Sequence, residues 1–252
     1  MSFLAKNMAS IPESQTMMVT NLARELASAG EDIISMSTGE PDFDTVSIAA
    51  EAGIEAIRTG RTRYTAGDGT PELKQAIQAK FRRDNDLIYD LNQISVATGG
   101  KQVIYNAFAA TLNPGDEVII PAPYWVSYPA MVAMCGGTPK LIQCHANSNF
   151  ALHADALERA ITSQTKWVLL NSPNNPSGAV MSEDNILAIA EVLRRHPHVH
   201  ILTDDIYEHL LYNSEPFVTI AQVARDLYDR TLTVNGMSKG YAMTGWRIGY
   251  AG

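Results

Sequence analysis

Thr231-Leu232-Thr233-Val234-Asn235-Gly236-Met237-Ser238-Lys239-Gly240 passes from an apolar, β-branched run into a polar, glycine-flanked turn with a lysine inside it. The same change of character recurs upstream. Ile94 to Ala97 runs into Thr98-Gly99-Gly100, and Lys166 to Leu170 runs into Asn171-Ser172-Pro173-Asn174-Asn175-Pro176. Val199 to Thr203 ends on Asp204-Asp205, and Glu117 to Ile120 is a further buried-strand pattern. Helical periodicity lies between these runs. Thr70 caps Pro71-Glu72, after which Leu73, Ile77 and Phe81 recur at helical spacing. A helix is read from Lys101 to Leu112, stopped by Asn113-Pro114-Gly115-Asp116. Ser182-Glu183-Asp184 opens another, with Ile186, Ile189, Ala190 and Leu193 on one face. Alternating strands and helices predict an α/β sandwich around a mainly parallel sheet. In such sheets ligands bind beyond the carboxyl ends of the strands. The polar residues after each apolar run are therefore the ones to inspect.

The chain has 252 residues, 46 % of them apolar and 18 % charged, ordinary values for a globular protein. A net charge of −8 argues against a fold-wide attraction to nucleic acid or anionic membrane. Cys135 and Cys144 are too few for a disulfide framework. The first residues lack the apolar run of a signal peptide, and no apolar stretch is long enough to span a bilayer. A cytoplasmic protein is expected. Residues 1–45 read as an N-terminal arm with a helix from about Met17 to Ala29, and residues 46–252 as one large domain.

Each strand end admits a bland and a chemical reading. Gly99-Gly100-Lys101 is either an ordinary strand-to-helix turn or a phosphate cradle, since glycines permit close backbone approach and helix N-termini present free amides. Asn174-Asn175 is a turn or a pair of hydrogen-bonding groups for a polar ring. Asp204 is more often a helix cap or a metal ligand than anything rarer, and the three-residue step to Tyr207 brings both near one face of a turn. Lys239 is a solvated loop lysine or a Schiff-base lysine, which needs shelter and a neutral amine.

The run Asn235-Gly236-Met237-Ser238-Lys239-Gly240-Tyr241-Ala242-Met243-Thr244-Gly245-Trp246-Arg247-Ile248-Gly249-Tyr250 resembles the cofactor-lysine signature of class I aminotransferases, fold-type-I pyridoxal-phosphate enzymes. Other motifs of the family stand in its order: Ser37-Thr38-Gly39-Glu40-Pro41-Asp42-Phe43-Asp44, Arg63-Tyr64-Thr65-Ala66-Gly67-Asp68-Gly69, Pro121-Ala122-Pro123-Tyr124-Trp125-Val126-Ser127-Tyr128 and Ser172-Pro173-Asn174-Asn175-Pro176-Ser177-Gly178. The resemblance covers essentially the whole chain and is greatest to the bacterial aspartate aminotransferase branch.

The resemblance implies pyridoxal 5'-phosphate as cofactor and transamination of an acidic amino acid, aspartate with 2-oxoglutarate, in a homodimer with shared active sites. It implies that Lys239 forms the Schiff base and then shuttles a proton, while Asp204 pairs with the pyridinium nitrogen. Tyr207 and Asn175 match the groups on the phenolic oxygen. Gly100, Lys101, Ser238 and Arg247 match the phosphate site, and Tyr64 matches a tyrosine that reaches the phosphate of the neighbouring subunit. Trp125 matches the aromatic that stacks on the ring, although core packing is the plainer reading of a lone tryptophan. Gly39 matches a glycine beside the substrate carboxylate. Lys101 and Thr16 match contacts to a distal carboxylate. Prephenate transamination, associated with a further lysine in the arm, is less favoured, because Ile11-Pro12-Glu13 stands near that place.

His196, His198 and His200 alternate as a metal pair would, but without a cysteine or carboxylate cluster they read as surface histidines. Members of the family run on after the Gly-Trp-Arg motif, and their later part carries the arginine that clamps the substrate's α-carboxylate. No arginine here takes that role. The large domain is thus expected to be incomplete at its C-terminal end, with the small domain missing. A cofactor-binding fragment with little turnover is one alternative; another fold-type-I enzyme such as a lyase is a second. Lys101 and Trp125 favour the aminotransferase over the lyase.

Overall fold

The computed structural model describes residues 14–212 and 216–252, together with residues 3, 8 and 11. Its strands are β1 (Ser95–Thr98), β2 (Glu117–Ala122), β3 (Thr138–Gln143), β4 (Thr165–Asn171), β5 (His200–Asp204), β6 (Thr231–Gly236) and β7 (Ile248–Ala251). They form one sheet in the order β1-β7-β6-β5-β4-β2-β3. From β6 across to β3 every pairing is parallel, while β7 runs antiparallel to both of its neighbours. Parallel pairs need crossovers, which helices supply; β7 needs none, because residues 237–247 turn the chain straight back beside β6. The expected α/β sandwich with a mainly parallel sheet is what the chain forms.

The helices are α1 (Gln15–Ser28), α2 (Ser47–Arg58), α3 (Pro71–Asn85), α4 (Gly100–Thr111), α5 (Ser127–Met134), α6 (Ala154–Ala160), α7 (Glu183–Arg195) and α8 (Ile220–Val223). Their starts follow the caps read in the sequence. Thr70 accepts the Leu73 amide at 3.3 Å ahead of Pro71, and Ser182 accepts that of Asn185 at 3.2 Å. α1 begins two residues before the expected position, at a turn capped by Ser14.

Both sheet faces are covered, so the central strands read as continuous apolar runs. Ile119, Val168, Leu170 and Ile201 face α7 through Ile186, Ile189 and Leu193. Val118, Ile120, Leu169, Leu202 and Val234 face α4 through Val103, Ile104 and Phe108. Phe108 and Leu193 are fully buried, and each such side chain contributes roughly 1.5–3 kcal/mol of transfer energy. α3 closes the β1/β7 edge with Ile77 and Phe81 against Tyr89, Ile94 and Tyr250. Among the described residues, no helix is long and apolar enough to cross a membrane.

Strand register lines up the residues that matter. Asn171 pairs with Asp204, and Asp204 with Val234, so the carboxyl ends of β4, β5 and β6 lie side by side. On the far side, β7 runs so close to the turn between β1 and α4 that only glycine fits at 249. A Cβ there would lie 2.2 Å from the backbone of Gly99 and Gly100. Backbone cannot step aside as a side chain can. Gly249→Ala is therefore expected to lower stability by about 1–3 kcal/mol or more, read as a fall in the urea midpoint with an unchanged slope.

Candidate active site

Asp204 ends β5 with its carboxylate in the interior, 6 % exposed. The Tyr128 hydroxyl donates to Oδ2 at 2.6 Å, and the Ile206 amide lies 3.4 Å from Oδ1. Burial pushes Asp204 up to about 6 against the pull of these donors. The same burial, with the adjacent carboxylate, pushes the Tyr128 hydroxyl well above its ordinary value. The pair therefore holds one proton on the tyrosine and a carboxylate ready for a cation.

The turn after β5 carries Tyr207. Its hydroxyl accepts from Asn175 Nδ2 at 3.3 Å, and Asn175 is held in turn by its amide donating to Asn171 Oδ1 at 2.9 Å. Asn171 also donates to the Asp204 carbonyl at 2.8 Å. One asparagine at the end of β4 thus positions both neighbouring turns. Burial raises Tyr207, as does the Asp204 charge, while the Asn175 bond opposes them.

Lys239 lies beyond the end of β6, half-buried, with Nζ 5.9 Å from the Tyr207 ring centroid and donating to the Gly39 carbonyl. Desolvation lowers its pKa; Glu40 opposes that, and Arg247 adds to it. A neutral amine is more accessible here than on the surface. The loop bearing Lys239 is strapped by residues 39–45. Thr45 donates to the Ala242 carbonyl at 2.9 Å, Trp246 Nε1 donates to Thr45 at 3.1 Å, and Thr244 donates to Glu40.

Gly99 has φ +85° and precedes the first turn of α4, whose amides have no carbonyl one turn below. The Arg247 guanidinium covers it: a Cβ on Gly99 would meet Nη2 at 2.1 Å. Arg247 itself stands at φ +56° with Nη1 donating to the Thr244 carbonyl at 2.8 Å. A helix N-terminus beneath an exposed guanidinium, with the buried Ser238 on the neighbouring loop, is an anion cradle. Beside it Lys101 Nζ lies 4.8 Å over the Trp125 ring, and Trp125 meets Tyr128 edge-on at 5.3 Å. Desolvation lowers Lys101, and Arg247 adds to the effect.

Nine residues singled out in the sequence therefore share one carboxyl edge: Gly39, Gly100, Lys101, Trp125, Asn175, Asp204, Tyr207, Ser238 and Lys239, with Arg247 over them. Tyr64 is not among them; its side chain is fully exposed. Thr16 lies half-buried in α1, its carbonyl accepting from Thr20, and among the described residues no hydrogen bond or ion pair joins it to Lys101. Pro12 and Glu13, where an arm lysine was sought, lie outside the described residues. Tyr128 and Asn171 were missed, although both hold Asp204. The contact from Tyr128 spans 76 residues and has no local signal. A cavity of about 700 Å³ reaches Tyr128 and Asn171 from the side of Pro123 and Met181, but not Lys239 or Trp125. The convergent polar groups, rather than this cavity, mark the site, which forms an open shelf.

Residues 31–252 match the family model for class I and II aminotransferases. The chain belongs to this family. It is 57 % identical over 251 residues to the aspartate/prephenate aminotransferase of Cereibacter sphaeroides, covering 100 % of this chain and 63 % of that relative. The crystal structure of the aspartate aminotransferase from Rhizobium meliloti superposes with a TM-score of 0.97 at 54 % identity, over 100 % of this chain and 63 % of that one. The Thermus thermophilus aspartate aminotransferase with maleate gives 0.94 at 43 % identity, over 100 % and 64 %. The chain thus spans about 63 % of the length of the curated relatives it matches. The family's cofactor is pyridoxal 5'-phosphate. The residues present fit that group: a sheltered lysine, an anion cradle, and a buried carboxylate with no cation of its own among its described partners.

The raised pKa of Asp204 can be tested in the cofactor-free protein. An acid whose folded pKa exceeds its ordinary 3.8 favours folding below that value and loses this advantage as pH rises from there through about 6. Asp204→Asn should therefore raise urea stability at pH 8 by on the order of 1–3 kcal/mol and leave it unchanged near pH 4.

Proposed function

We propose that this chain is the cofactor-binding part of a pyridoxal-phosphate-dependent aminotransferase acting on an acidic amino acid, with aspartate and 2-oxoglutarate as its substrates. The observation that carries this reading is the placement of a sheltered amine, Lys239, beside a buried carboxylate, Asp204, on neighbouring strand ends, with an anion cradle at the same edge. When bound, pyridoxal phosphate supplies an electron sink for the electrons released at the substrate's Cα.

The protein's part is to bind, orient and move protons. Lys239 Nζ would hold the cofactor covalently, and its free amine would carry a proton to and from the substrate's Cα. The Asp204 carboxylate holds the proton on the pyridine nitrogen, and Tyr128 keeps that carboxylate aimed. Tyr207 and Asn175, already hydrogen-bonded to each other, donate to the phenolic oxygen. The Gly100 and Lys101 amides, Ser238 and Arg247 hold the phosphate. Trp125 covers the ring. Gly39 lines the place of the substrate's carboxylate, and Lys101 and Thr16 serve the distal one. Maleate, the compound with which the Thermus thermophilus relative was solved, is a dicarboxylate, and this supports an acidic substrate.

Residues 1–45 act as arm and helix, and residues 46–252 as the cofactor domain. The active unit is a homodimer working in the cytoplasm, in which Tyr64, fully exposed on its own subunit, reaches the neighbour's phosphate. Prephenate amination is a second reading, supported by the name of the Cereibacter sphaeroides relative.

In a single turnover, aspartate should discharge the bound cofactor's visible absorbance and release oxaloacetate in equal amount. Bound cofactor without that conversion would leave only the cofactor-binding role. Lys239→Ala should abolish both the covalent attachment and the conversion, and Arg247→Ala should weaken cofactor affinity about tenfold or more.

A further inference from the structure

The turn after β5 carries a second set of buried charges that the mechanism above does not use. Glu208, next to Tyr207 in the chain, has its side chain 3 % exposed. Its Oε1 accepts from Asn235 Nδ2 at 2.8 Å and pairs with Lys80 Nζ. Its Oε2 accepts from Asn85 Nδ2 at 2.8 Å. Lys80 also donates to Asn85 Oδ1 at 2.7 Å. The ligand atoms of Glu208, Asp84 and His209 lie close enough together to suggest a cation site, but Lys80 Nζ, 4.0 Å from Asp84, already supplies the cation. The cluster is a hydrogen-bonded network anchored on the end of α3, with His209 Nε2 3.3 Å from Glu208 Oε1 at its solvent edge.

Its reach is toward the lysine loop. Asn235 uses Nδ2 on Glu208 and Oδ1 on the Gly236 amide, at 2.7 Å. Glu208 thus fixes the peptide at which β6 ends, three residues before Lys239, while its own backbone continues the turn that bears Tyr207. Both Glu208 oxygens face donors, Oε1 facing Asn235 Nδ2 and Lys80 Nζ and Oε2 facing Asn85 Nδ2, and glutamine cannot satisfy both sides because one of them would meet its N–H.

We propose that Glu208 is a positioning residue for Lys239 and Tyr207, acting through Asn235, with Lys80 as its buried counter-ion. This rests on the reading of Lys239 as the cofactor lysine.

The test separates positioning from charge, because the two have opposite signs. Loss of a negative charge alone would lower the pH at which Lys239 is half deprotonated. Loosening the loop would return the amine to water and raise that pH. In cofactor-free protein the midpoint is read from the pH dependence of Lys239 acetylation by acetic anhydride, followed by peptide mass spectrometry. Glu208→Gln is expected to raise it by about half a pH unit or more. Asn235→Ala, which leaves the Lys80–Glu208 pair in place, is expected to do the same and decides the matter if Glu208→Gln does not fold. A folded variant with its midpoint unchanged or lowered would overturn the proposal. Wild-type protein in which Lys239 takes up no pyridoxal phosphate, with the midpoint still raised in the variants, would remove the cofactor reading and leave the positioning role standing.

Discussion

The Asp204 carboxylate is held at the end of a strand buried on both faces, where water cannot solvate it and where a hydroxyl and an amide are its donors. Much of the surrounding architecture follows from keeping that charge available. Tyr128 comes from α5, which follows β2, so its side chain must reach past the end of β4 to meet the end of β5. Asn171 must end β4 directly opposite Asp204. Asp205 and Glu208 add two more buried acids within four residues. Burial raises Asp205 to about 7, whereas Glu208 is balanced by Lys80. Three carboxylates in one turn would be untenable without these separate compensations, since an unpaired buried charge is among the costliest groups a fold can carry.

A protein that keeps such a group ready is less stable without its partner than it could otherwise be. Strain and unmet polarity at functional sites are tolerated because rigid elements around them outweigh the penalty. Here the rigid elements are two interlocked layers: Val168, Leu170 and Ile201 against α7, and Leu169, Leu202 and Val234 against α4.

The sheet's central strands were legible because a strand buried on both faces writes itself as an apolar run ended by turn chemistry. β2, β4, β5 and β6 all do so, and the lysine signature after β6 carried the family with it. Less legible was β3, an edge strand containing Pro139 and Lys140 and alternating weakly. β7 was hidden at the end of the lysine signature, just after Gly-Trp-Arg, where Gly249 obeys close backbone approach rather than strand propensity. Within the site, the residues read from the sequence are those whose chemistry is local to a strand end. Tyr128, Asn171, Glu208 and Asn235 escaped because their roles exist only through contacts across the sheet. A tyrosine 76 residues from its carboxylate leaves no periodicity to find.

The strap formed by residues 39–45 has a consequence for how the chain is made. Its bonds to Lys239, Ala242, Thr244 and Trp246 join residues 197 to 204 positions apart. Closure entropy grows only slowly with such distances, so the finished contacts are affordable. Their timing is another matter. A chain emerging from the ribosome at roughly 5–20 residues per second has its amino-terminal segment in hand for many seconds before the lysine loop exists. Through that interval its partners in the lysine loop do not yet exist, and Phe43 of the strap, exposed even in the finished fold, stays in water. The strap therefore closes only after the lysine loop has emerged, joining a segment already made to one synthesised about 200 residues later.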